Sequence, residues 1–182
     1  MTELTQIDAY GALIGPDTLR IQRLLPGPIE RVWAYLADSE LRKLWLAAGD
    51  IELVEGAPFE LVWRNDELAG VRTGDRPEDM PEEHRMQSEV IAADAPRRLV
   101  IAWNNTGNVT FELEPVGEGV LLTLTHAGFQ TRSALIGHSA GWHAHLDVLE
   151  NLAFARPPKP FWPRWQELRG EYGERLPADL GA

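Results

Sequence analysis

The chain has 182 residues, no cysteine and a formal net charge of −11, from 17 Lys and Arg against 28 Asp and Glu. Disulfides, thiolate metal sites and cysteine nucleophiles are excluded, and so acidic a surface repels phosphate backbones and anionic headgroups, which argues against nucleic-acid and membrane partners. No apolar run approaches the roughly 20 residues of a bilayer span, and the first eight residues lack the basic and apolar regions of a secretory signal, so a cytoplasmic, single-domain protein is expected.

Residues 1–17 are polar, with Gly11, Gly15 and Pro16, and read as a loosely held N-terminal arm. Residues 18–25 alternate as a strand, with Leu19, Ile21 and Arg23 in one phase. Pro28 suits the first position of a helix carrying Ile29, Val32, Trp33 and Leu36. Asp38 or Ser39 can cap a second short helix carrying Leu41, Leu44 and Trp45. From residue 50 the period changes to two. Strands are expected over 51–55, 59–64, 86–93, 97–104, 108–115 and 120–126, with Trp63, Trp103, Phe111 and His126 on the inward phase. The short connections imply an antiparallel meander. Between them, residues 65–85 form a charged excursion with almost nothing to bury, read as a functional or solvated loop.

Residues 131–155 are the longest helical run. Leu135, His138, Trp142, His145 or Leu146, Leu149 and Leu152 fall on one stripe. The stripe is apolar except for two histidines flanking a tryptophan. Residues 156–163, RPPKPFWP, read as a proline-stiffened linker, followed by a helix over 164–176 that Gly170 and Gly173 weaken. Strands segregated from helices give an α+β class, with the outer sheet face left to water or to a second copy in a homodimer.

Three stretches resemble the START-related superfamily (SRPBCC, or Bet v 1-like), in the branch of the Hsp90 ATPase activator domain. RIQRLLPGPIERVWAYLADSELRKLW resembles its first strand and paired helices, LLTLTHAGF its last strand, and GWHAHLDVLENL the inner face of its terminal helix. The resemblance covers residues 18–155 and leaves 156–182 as an extension. It implies a helix-grip fold, in which a curved sheet of about seven strands wraps a long helix over an elongated pocket. Carried onto this chain, the pocket takes Trp63, Trp103, Phe111, His126, His138, Trp142 and His145. The superfamily spans lipid carriers, receptors, cyclases and co-chaperone domains, so the fold does not choose a function.

Gly137-His138-Ser139-Ala140-Gly141 matches the G-x-S-x-G elbow of α/β-hydrolases, but no alternating βα pattern precedes it and only about forty residues follow; small residues at a close helix contact explain it better. His143 and His145 point about 200° apart on a helix, and no H-x-x-x-H pair exists, so neither a metal nor another cofactor is expected. The expected function is binding of a small apolar or aromatic molecule. The alternatives are a cyclase or hydrolase using His126, His138 or His145 as acid or base, and a co-chaperone-like interaction module.

Overall fold

A computed structural model of the protein describes residues 7–72, 74–104 and 106–180. Its strands are β1 (Ala12–Leu13), β2 (Thr18–Pro26), β3 (Pro58–Trp63), β4 (His84–Asp94), β5 (Arg98–Ala102), β6 (Asn108–Val116) and β7 (Gly119–Ala127). Its helices are α1 (Ile29–Ala37), α2 (Ser39–Arg42), α3 (Arg132–Ala153) and α4 (Phe161–Arg175). The strands make one antiparallel sheet in the order β1-β2-β7-β6-β5-β4-β3. From β3 to β7 each strand pairs with the next, and β2 closes the series against β7. The α+β helix-grip architecture is the one the sequence implied.

Register follows the alternation. Leu19, Ile21 and Arg23 of β2 stand opposite His126, Leu124 and Leu122 of β7, and Phe111 of β6 stands opposite Leu124. All face inward and are buried. Thr131 caps α3 by accepting the Ala134 N–H at 3.2 Å. Leu135, Leu146 and Leu149 of α3 lose all exposure, each contributing about 1.5–3 kcal/mol of burial.

Four expectations about the elements need correction. Residues 51–55 are not a strand. The outer edge of β3 is met instead by Ala48, which bridges Val62, and Val54 is largely exposed. The seventh strand is β1, from the N-terminal arm. That arm is not loose beyond Ala9, because β1 pairs with β2, the Arg23 guanidinium donates to the Ala9 carbonyl, and the Gly11 N–H donates to the Tyr172 hydroxyl. The second short helix is a single turn. Asp38 caps it through the Glu40 and Leu41 N–H groups, and Arg42 then turns inward to donate to the carbonyls of Leu36, Ala47 and Gly49. Leu44 and Trp45 follow in the turn, with Trp45 fully buried.

The fourth correction concerns the C-terminal extension. The stretch read as a linker already contains the start of α4, at Phe161. Pro163 lies in the first turn, where a missing N–H breaks no helical bond. α4 packs along α3, and Arg132 fastens its far end by donating to the carbonyls of Gly173 and Pro177. α3 is therefore buried on more than the predicted stripe. Its second buried face, including His143 and Ala144, lies under α4 and the arm.

Candidate functional site

At one end of the sheet, α3, α4 and the 65–85 excursion flank a half-open cavity of about 310 Å³. Its aromatic walls are Trp63 of β3, Trp103 after β5, and Phe161, Trp162 and Trp165 of α4. Its helical side is His138, Gly141 and His145 of α3. The residues fall there for simple reasons. Trp63 ends the edge strand β3 and Trp103 follows directly on β5, with ring centres 5.6 Å apart. His138 and His145 are seven residues apart, two turns of one helix face, with Gly141 between them.

The excursion borders the mouth with Met80, Pro81, Glu82 and His84. Contrary to the sequence reading, it buries Asp66 and Leu68. Asp66 is its anchor. One carboxylate oxygen accepts the Trp162 indole N–H at 2.7 Å and the other accepts Arg76 Nε at 3.0 Å. Arg64–Glu83 and Arg72–Glu82 pairs hold the outer part.

The histidines divide by what their two nitrogens meet. His126, fully buried, accepts the Trp142 indole N–H on Nδ1 at 3.0 Å, so its proton is on Nε2, which donates to the Thr106 carbonyl at 3.1 Å. Gly107 permits this turn; at φ +69 its backbone lies so close to the Ala127 carbonyl that a Cβ would sit 2.3 Å from the oxygen. Burial pushes the His126 pKa down to about 3, helped by the nearby His138 ring. His143 meets the Tyr172 hydroxyl on Nδ1 at 2.9 Å, and its Nε2 faces Asp147 at 3.6 Å. Burial lowers it to about 4 against the pull of Asp147.

His138 and His145 are different. Nδ1 of His138 lies 2.8 Å from the Ala134 carbonyl, and Nδ1 of His145 lies 2.7 Å from the Trp45 carbonyl. A carbonyl only accepts, so each Nδ1 carries the proton and each Nε2 is a bare acceptor. No side chain or backbone group among the described residues meets either Nε2. Burial keeps both rings neutral at pH 7, lowering His138 and taking His145 to about 4. Phe161 packs on the His145 ring at 4.6 Å.

Of the seven residues named from sequence, Trp63, Trp103, His138 and His145 come together in the cavity wall. Phe111, His126 and Trp142 form the layer beneath, where Trp142 touches Trp103 and Phe111 at 4.9 and 5.9 Å. Sequence reasoning missed Asn65, Phe161, Trp162, Trp165 and the residues of the excursion. Trp162 and Trp165 of the extension were the available signal: they call for burial on this domain or on a partner chain, but nothing in the sequence directs them to this cavity. Ser139 of the elbow-like motif is mid-helix and fully buried, and its Oγ has no hydrogen-bond partner, hence no activating base. A wider groove of about 840 Å³ runs between α3 and α4. Most of its charges pair with one another, Arg164 with Asp147 and Glu167, and Arg156 with Glu150, while Lys159 has no ion pair among the described residues.

The family model for Activator of Hsp90 ATPase homolog 1-like protein matches residues 26–153. The chain belongs to that family. The match takes in Trp63, Trp103, His138 and His145 and stops at the end of α3, so the three aromatics of α4 lie beyond it. A protein of Bordetella parapertussis solved by solution NMR is 34% identical over 97% of this chain and 95% of its own, with a TM-score of 0.76. CalU16 from Micromonospora echinospora has the same fold at 21% identity and a TM-score of 0.61, covering 86% of each chain. DynU16, a protein of the dynemicin biosynthetic locus, has it at 20% identity and 0.60, over 78% of this chain and 49% of its own. No curated protein matches the chain. No helix among the described residues is long and apolar enough to cross a membrane.

Proposed function

We propose that this family member binds a small aromatic or apolar molecule between α3 and the sheet, without covalent chemistry. The observation that carries the reading is the cavity itself: about 310 Å³, at the lower end of the range for small-molecule sites, and walled by four tryptophans and a phenylalanine. Flat aromatic walls favour a planar ligand that can stack or meet them edge-on. The occurrence of the fold in a protein of a natural-product biosynthetic locus is in keeping with such cargo.

The enzyme alternative asks for two polar groups within hydrogen-bond reach of each other in the cavity. His138 and His145 are about 10 Å apart along the helix axis, and each commits its proton to a backbone carbonyl. This disfavours an acid–base pair. The interaction-module alternative asks for a closed pocket and a broad apolar patch; the large exposed hydrophobics, Ile14, Val54, Val71, Ile91 and Phe154, are spread along the chain.

Native mass spectrometry of the purified protein tests the proposal, with Gly141→Leu as the control. A Cβ at Gly141 meets nothing within 4 Å, so a larger side chain there enters the cavity and also favours the helix. The expected result is a co-purifying small molecule, or a stacking probe taken up, by the wild type and not by the variant. Equal behaviour of the two proteins, with no bound species, contradicts it.

A further inference from the structure

The polar atoms of the cavity say what kind of molecule it takes. Two bare imidazole acceptors, His138 Nε2 and His145 Nε2, sit two turns apart on one face of α3. Between them Gly141 leaves the helix surface flat, with open space where a side chain would be. His145 is only 6% exposed as a whole, and its unpartnered Nε2 is open to the cavity rather than sealed in protein. Asn65, also in the wall, has a buried Oδ1 with no partner. No lysine or arginine lines the cavity, and the Glu82 carboxylate at its mouth is paired with Arg72. An anion entering this space would lose part of its hydration with no lysine or arginine in the wall to meet it.

We propose that the cavity selects a flat, uncharged aromatic molecule carrying hydrogen-bond donors at opposite ends, of the polyphenol or aromatic-diamine class, and rejects carboxylates and phosphates. The ring lies on the bare helix at Gly141, between the α4 aromatics and Trp103, and its two donors reach His138 and His145. The inference rests on the cavity being a ligand site, as proposed above. It adds the polarity of the ligand, which the aromatic walls alone leave open. It also gives α4 a part in specificity, because Phe161 packs on His145 and Trp162 is held in place by Asp66.

Three probes of one shape test it by calorimetry, or by quenching of the wall tryptophans. 2,6-Dihydroxynaphthalene has two donors, 2,6-dimethoxynaphthalene has none, and naphthalene-2,6-dicarboxylate is a dianion. The diphenol is expected to bind at least tenfold tighter than the diether, and the dicarboxylate more weakly than either. His138→Phe is expected to lower diphenol affinity about three- to tenfold, the worth of one neutral hydrogen bond, and to leave the diether unchanged. Gly141→Leu is expected to abolish binding of all three. Equal affinity of diphenol and diether, or tightest binding of the dianion, overturns the donor-recognition proposal while leaving the ligand site standing. Failure of every probe to bind the wild type overturns both. A diphenol preference that survives both His138→Phe and His145→Phe, with folding confirmed by circular dichroism, overturns the assignment to these histidines.

Discussion

Four histidine rings, three on helix α3 and His126 on β7, stand in two different states. On the side under α4 and the arm, His143 has the Tyr172 hydroxyl at one nitrogen and Asp147 beyond the other, and Arg23 ties the same region to Asp147 at 3.0 Å. Toward the sheet, His126 is filled at both nitrogens. On the cavity side, His138 and His145 are filled at one nitrogen only. All four rings are shielded enough to be held neutral. Burial alone therefore does not separate a structural histidine from a recognition group; the unfilled second nitrogen beside an open volume does. The closed side should carry stability, and the open side should carry binding.

The largest effect should come from the closed side. Arg23 is buried against two half-buried carboxylates, Asp147 and Glu150, at 3.0 and 3.3 Å. Arg23→Met removes the guanidinium hydrogen bonds to the Ala9 and Gln22 carbonyls and to Asp147, while Arg164 stays with Asp147 and Arg156 with Glu150; it is expected to cost about 3 kcal/mol in urea denaturation, with probe affinity unchanged in whatever fraction stays folded. His126→Phe comes next. It leaves the Trp142 indole N–H without an acceptor in the core and should cost about 1–3 kcal/mol, measured the same way.

Acid should act on both sides together. His126, His143 and His145 have pKa values near 3, 4 and 4 in the fold, against about 6.5 in an unfolded chain. Below pH 6.5 the unfolded state takes up protons that the folded state refuses, so stability falls from pH 6.5 toward pH 4 and is unaffected by these groups above 6.5. Thermal unfolding against pH checks this, and His143→Gln should flatten part of the slope. The smallest stability effect is expected from His138→Phe, within about 0.5 kcal/mol, since its Nδ1–H bonds only the carbonyl one turn back. Its effect belongs to ligand affinity. A loss of stability as large as that of His126→Phe would erase the distinction between the two sides.

Sequence pattern carried the frame well, because alternation and helical spacing are local. The inward phase of Trp63, Trp103, Phe111 and His126 and the α3 stripe could be read directly. The other half of the cavity could not. Trp162 meets Asp66, 96 residues away, and neither position signals the other along the chain. Proline around Phe161 was misleading, since Pro163 is harmless in a first helical turn. The buried charges Arg23, Arg42 and Asp66 sit inside because distant groups satisfy them, and a linear pattern scores such residues as surface. The two states of histidine were equally hidden. His138 and His145 look no different from His126 until the partners of each ring nitrogen are known.

The ring-nitrogen resonances of the four histidines, followed by long-range proton–nitrogen NMR without and with 2,6-dihydroxynaphthalene, test the central claim most directly. The account predicts that the free protein shows unprotonated Nε2 in His138 and His145 and unprotonated Nδ1 in His126. It predicts that the diphenol then shifts the first two and leaves His126 and His143 in place. Shifts confined to His126 or His143, or saturating binding with no change at His138 and His145, would contradict it.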